Sequence, residues 1–252
     1  MVSLDKMELM LEQVRKGEFI QEQKKEQKQE ANEGPKPTYE RSKKISQLFE
    51  KATDPSFGKY DTFKNLVNLF YFTLTKDEKA YLELVRQLSK NTLECGTQIF
   101  AELMQALYVE QDYADYLGDA FTYLSLGNNK LGQNFTPWTI AYFMAKMTFS
   151  KEKYEKAKAE GRKITVCDPC VGAGVFLLSW KKVIIQELGL EALDQYEFYG
   201  TDIDPLCVQM TRVQMLLTDY KRMRDLLIVT AYEMKQSSKP KESSQPAEGS
   251  RE

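Results

Sequence analysis

The sequence predicts an α/β chain, an α-helical domain followed by a parallel sheet wound with helices. Three observations carry this. Between Tyr39 and Leu126 the apolar residues recur at helical spacing; past Arg162 short β-rich runs alternate with helical ones; and a two-glycine turn, DPCVGAG, stands where the first β-rich run gives way to a helix.

Residues 1–38 form a charged N-terminal segment and linker. Its dense mixed charge, ending in EQKKEQKQEANE, surrounds a sparse apolar set (Leu4, Met7, Met10, Leu11, Val14, Phe19 and Ile20), which predicts a solvated, partly formed helix. GPKP at 34–37 then breaks any helix, because each proline restricts the residue before it. Residues 39–130 are the helical domain. Phe63, Leu66, Val67, Leu69 and Phe70 mark one helix, Leu82, Leu84, Val85 and Leu88 another, and Ile99, Phe100, Leu103, Met104 and Leu107 a third. KEKYEKAKAEGRK at 151–163 reads as a solvated helix and turn joining the two halves.

Within 131–235 the strands are expected at 163–168 (KITVCD), 196–202 (YEFYGTD) and 226–231 (LLIVTA). Helices are expected at 173–189 and 205–220, with a loop between the first helix and second strand. Right-handed crossovers make such a sheet parallel. Asp204 before Pro205 suits a helix cap followed by the first helical position. Residues 236–252 are polar, with Pro and Ser, and are expected to be disordered.

Composition removes several kinds of chemistry. Lys and Arg number 35 against 37 Asp and Glu, a net charge of −2, so no global field draws in nucleic acid or an anionic membrane. There is no histidine, which excludes Ser-His and Cys-His nucleophile pairs and imidazole metal ligands. Four cysteines, at 95, 167, 170 and 207, are too few and too scattered for a secreted disulfide scaffold, and no long apolar run or signal peptide is seen, so a cytoplasmic location is expected.

In a parallel sheet ligands bind at the carboxyl ends of the strands, where DPCVGAG lies. Gly172 and Gly174 suit positive φ and close approach of a ligand to the backbone, and the N–H groups of the starting helix offer donors. Asp168 brings a carboxylate to the strand end, and Asp202, at the tip of the second strand, suits the two hydroxyls of a ribose. A nucleoside-containing cofactor follows. Cys167 and Cys170 also form a C-x-x-C pair. Cys95 and Cys207, in separate helices, do not complete a four-cysteine zinc site, so no metal is expected. A redox pair stays open, with small thiols packing beside the ligand as the simpler expectation. Phe135 and Trp138 have two readings as well, as site residues or as core aromatics.

DYLGDAFTYLSLGNNKLGQNFTPWTIAYFMAKM at 115–147, then DPCVGAGVFLL, then GTDIDPLCVQM resembles, in content and order, the N6-adenine DNA methyltransferases of the type I restriction-modification kind, over roughly residues 57–235. The resemblance implies a Rossmann-like S-adenosylmethionine-dependent methyltransferase core, here truncated before the catalytic motif. It implies that Phe135, Thr136 and Pro137 of GQNFTP belong to a turn that holds the methionine end of the cofactor. Asp168, Pro169, Gly172 and Gly174 match the loop beneath that end, Asp202 matches the ribose carboxylate, and Ile203 would flank the adenine.

The family's chemistry resides in an N-P-P-[FY] run whose polar groups hold the amine of a flipped-out adenine and whose aromatic ring stacks on the base. No NPPY, NPPF, DPPY or SPPY occurs in these 252 residues, so catalytic residues stay unassigned. VTAYEM replaces the family's usual third-strand ending and offers no acidic partner in the expected place. Three strands of a fold that normally has seven leave an edge for the helical domain or a partner protein to cover. The implied partners are DNA, direct or through another protein, and a chain completing the sheet or supplying target recognition. Three readings remain: an adenine methyltransferase working alone or as part of a split enzyme, a catalytically silent S-adenosylmethionine-binding regulator, and a restriction-system mimic without ligand. The glycines and Asp202 argue against the last.

Overall fold

The computed structural model describes residues 38–127 and 134–218, and the backbone of 226–230. The expected N-terminal helix, the GPKP linker and the tail lie outside the described residues. Five helices make up the first part: α1 (Thr38–Ala52), α2 (Gly58–Thr75), α3 (Glu78–Val85), α4 (Lys90–Leu103) and α5 (Tyr116–Tyr123), with a π-helical turn at Met104–Val109. After these come α6 (Trp138–Thr148), α7 (Lys151–Ala159), β1 (Ile164–Asp168), α8 (Val175–Leu188), β2 (Tyr196–Asp202), α9 (Pro205–Thr218) and β3 (Leu226–Thr230). The stretch expected as a loop before β2 is a 3₁₀ turn, Leu190–Gln195, which buries Ala192 and Leu193.

Local chemistry sets the helix starts. The side chains of Asp77, Ser89, Asp115 and Ser150 accept the backbone N–H groups of Ala80, Thr92, Gly118 and Lys153, opening α3, α4, α5 and α7. Asp204 Oδ1 likewise accepts the N–H of Leu206 at 2.9 Å, as the Asp-Pro start of α9 predicted. Only Tyr154 and Ala157 of α7 are buried, in keeping with its solvated reading.

The three strands pair in parallel in the order β1-β2-β3, with Asp168 opposite Gly200 and Asp202 opposite Thr230. α8 packs on β1 and α9 on β2 and β3. Val166, Tyr196 and Phe198 meet Leu177, Leu178, Ile184, Val208 and Met215 in a compact core on that face. The larger core runs through the first five helices, where Phe49, Phe63, Phe70 and Phe100 pack in tilted and T-shaped pairs, and continues without a break into α9 through Met210, Val213 and Leu217. The first five helices therefore fix the position of α9, and α9 in turn supports the loop after β1. No helix of the described residues is long and apolar enough to cross a membrane.

Candidate functional site

Between β1 and α8 the chain turns through Pro169–Gly174, and every part of that turn is tied down. Cys170 N–H donates to Asp168 Oδ1 at 3.0 Å, and Val171 N–H donates to Thr201 O at 2.9 Å. The Thr201 hydroxyl donates to Pro169 O at 2.9 Å. Gly172 N–H donates to Asp202 Oδ2 at 2.9 Å, while the other oxygen of Asp202 accepts Asp204 N–H at 2.9 Å. The glycine turn and the tip of β2 are thus one hydrogen-bonded unit.

Both glycines sit at positive φ with little room for a side chain. Gly172 has φ +54°, and a Cβ there would lie 3.2 Å from the ring of Phe135. Gly174, at the start of α8, has φ +100°, and its Cβ would lie 3.1 Å from Thr211 Oγ1 and 3.4 Å from the Thr211 backbone. No side chain caps α8, so its first-turn N–H groups have no acceptor from a capping residue.

A cavity of about 300 Å³ opens above this turn. Phe135, Thr136, Asp168, Pro169 and Gly172 line it, together with Met144 of α6 and Phe176 of α8. Asp202 is joined to its floor through Gly172 rather than lining it. Gly174 shapes the turn from below, and Pro137 precedes α6 and lines a second cavity of about 490 Å³ shared with Asp115, Asp119 and Trp138. Ile203 is 83% exposed and stands outside the cavity. Burial raises the carboxyl of Asp168 above the ordinary aspartate range; the Cys170 N–H opposes this, and the charge of Asp202 adds to it.

Phe135 both lines the cavity and packs on the core. Its ring covers Gly172, and it also packs 5.1 Å from Phe121 of the helical core. Cys167 and Cys170 line the cavity too, but both thiols are exposed rather than packed away, whereas Cys95 and Cys207 are buried.

Two residues that support the turn escaped the motif reading. The Thr211 hydroxyl donates to Gly172 O at 2.8 Å. Gln214, fully buried, donates through Nε2 to Asp115 Oδ1 (2.7 Å) and Ala173 O (2.8 Å) and accepts Leu117 N–H (3.2 Å). Their signal in PLCVQMTRVQMLLTDY was faint: a Thr and a Gln three apart, interleaved with Met210, Val213 and Leu217 on a helix that also carries Gln209, Arg212 and Thr218.

The residues fit a nucleoside-bearing sulfonium cofactor. The volume is that of a small-molecule site, Phe135, Met144, Val175 and Phe176 supply apolar lining, and the carboxylates of Asp168 and Asp202 stand at neighbouring strand ends.

Residues 112–244 match the family of N-6 DNA methylases. None of the curated proteins matches the chain. Among solved structures, one from Listeria monocytogenes, described as a class I S-adenosylmethionine-dependent methyltransferase, is 15% identical, with a TM-score of 0.40 over 75% of this chain and 53% of its own. A type I restriction-modification methyltransferase subunit from Streptococcus thermophilus is 18% identical, with a TM-score of 0.38 over 79% of this chain and 41% of its own. The chain thus spans about half the length, or less, of these structures. With just over half of its residues inside the family match, this chain belongs to the N-6 DNA methylase family.

Proposed function

We propose that the chain binds S-adenosylmethionine in the cavity above the glycine turn and serves methyl transfer to the N6 amine of adenine in DNA, together with a further polypeptide. The observation that carries this reading is the bond from Gly172 N–H to Asp202, which sets the glycine turn and the candidate ribose carboxylate side by side. In this reading Phe135 and Thr136 border the methionine end, and Pro137 sets the turn into α6. Asp168 accepts from the ammonium group, Asp202 keeps free lone pairs for the ribose hydroxyls, and Ile203 is exposed and available to one face of the adenine. When bound, the cofactor supplies a methyl group made electrophilic by its sulfonium. The chain's own part is to orient that group and to exclude water from it.

An uncovered helix face supports the added polypeptide. α8 lies over β1 and α9 over β2 and β3, but α6 packs along α8 without a strand of its own beneath it among the described residues. Ile140, Phe143, Met144 and Met147, spaced as one helix face, are 47–70% exposed. Helices spaced about 10 Å apart overhang roughly two strands at about 4.8 Å each. A strand laid beside β1, with an apolar face toward this stripe, would bury it and would close the cavity on the side of Met144. The DNA-contacting and base-holding groups are assigned to the same added polypeptide.

Calorimetric titration with S-adenosylmethionine tests the binding, with Asp202→Ala as control and circular dichroism to verify folding. Saturable binding that the variant loses is expected; equal binding by both proteins, or none by either, sinks the reading. The absence of any N-P-P-[FY] run favours a second reading, a catalytically silent binding module. Labelled methyl incorporation into DNA, with and without candidate partner chains, separates the two.

A further inference from the structure

The geometry points to Cys167 and Cys170 as a thiol–disulfide exchange site whose closure excludes the cofactor, an inference that rests on the cofactor reading of the same cavity. The four cysteines divide sharply. Cys95 and Cys207 are 2% and 1% exposed in the helical core and α9, out of reach of a dissolved disulfide, and burial pushes the Cys95 thiol up. Cys167 and Cys170 are both exposed, both line the roughly 300 Å³ cavity, and only Asp168 and Pro169 separate them. The chain bends between them, because Cys170 N–H folds back onto the Asp168 side chain.

The chemistry needs an external disulfide, for which glutathione disulfide serves as the chemical class. One thiolate of the pair attacks a glutathione sulfur, forming a mixed disulfide and expelling one glutathione thiolate. The second thiolate attacks the protein sulfur of that mixed disulfide and expels the other. Two protein thiols become one disulfide, one glutathione disulfide becomes two thiols, and the two protons pass to the leaving thiolates. Closure draws Cys170 toward the end of β1 and displaces Asp168, whose carboxylate now accepts the Cys170 N–H. The strain passes to the bonds that Pro169 and Val171 make with Thr201, which hold the floor of the cavity.

The test uses the full chain, first reduced and then equilibrated with glutathione disulfide, alkylated, and read by intact mass and peptide mapping. S-adenosylmethionine titration of each form follows. Expected are a loss of about 2 Da mapped to the peptide holding Cys167 and Cys170, a drop in cofactor affinity of about tenfold or more, and recovery with dithiothreitol. In Cys167→Ser and in Cys170→Ser no internal disulfide forms, and each variant's affinity after the oxidant, once glutathione adducts are removed by desalting and mild reduction, equals its affinity before. Stable glutathione adducts without the internal bond, or an internal bond that leaves affinity unchanged, overturn the inference. Failure of the reduced chain to bind S-adenosylmethionine overturns the cofactor reading instead, and the mass measurement then still decides whether the pair closes.

Discussion

Asp202 spends one carboxylate oxygen on the N–H of Gly172, thirty residues earlier, and the other on Asp204 N–H. The side chain proposed to hold the ribose therefore also fastens the glycine turn. Asp202→Asn keeps one acceptor oxygen but loses the charge, and hydrogen bonds to a charged group contribute about 1.5–3 kcal/mol. Cofactor affinity is expected to fall about 10- to 100-fold in this variant, with a larger loss in Asp202→Ala, as measured by calorimetry.

Gly174→Ala is expected to destabilise the chain more than Gly172→Ala does. At Gly172 the φ of +54° is one that other residues enter at modest cost, and the obstacle is a ring edge of Phe135. At Gly174 a φ of +100° coincides with close contact to both the side chain and the backbone of Thr211, and α9 is too well packed to retreat. Losses of about 1 kcal/mol and about 3 kcal/mol are expected, read from urea denaturation midpoints at constant slope.

Burial raises the carboxyl of Asp115 to about 6, against the hydrogen bonds from Gln214 and Gly118. Between the ordinary aspartate value of 3.8 and about 6 the unfolded chain has released this proton and the folded chain has kept it. Asp115 therefore makes its stabilising contribution below about pH 4, and that contribution is lost as pH rises through 6. The swing is at most about 3 kcal/mol. Asp119 nearby, also raised by burial, acts with the same sign. Asp115→Asn keeps the helix cap and removes the titration, so the stability difference between wild type and variant should change over pH 4–6.5 and be flat above. A flat difference throughout would refute the assignment.

Gln214→Leu preserves volume but strands the Ala173 carbonyl and the Leu117 N–H and removes a donor from Asp115. A cost of about 2–4 kcal/mol is expected at pH 7.5. Because Gln214 joins the helical domain to the glycine turn, the variant should also weaken S-adenosylmethionine binding more than an equally destabilising change in the helical core, such as Leu66→Ala.

The exposed stripe on α6 behaves in the opposite way. Phe143→Ser and Met147→Ser together should leave the stability of the isolated chain within about 0.5 kcal/mol while reducing its binding of a hydrophobic dye. Should a partner chain be found, the same pair of changes should weaken that association.

The strands, the turn after β1 and the Asp-Pro start of α9 were all legible locally, because β-rich runs, paired glycines and capping residues express preferences that need only a few neighbours. The 3₁₀ turn before β2 was not, since it rests on burying Ala192 and Leu193 against α8, α7 and β2 rather than on a local motif. The same limit hid Thr211 and Gln214, whose partners lie 39 to 99 residues away.

By itself the sequence determined the family, the alternation of strands and helices past Arg162, and the residue types at the ends of β1 and β2, since these depend on periodicity and short motifs. Only the tertiary structure decided that Asp202 grips Gly172, that Phe135 roofs the same glycine, that α9 braces the turn from the helical domain, and that one face of α6 stands bare. Contacts between residues far apart in the chain are set by how whole helices pack around a shared core, and no local pattern encodes that packing.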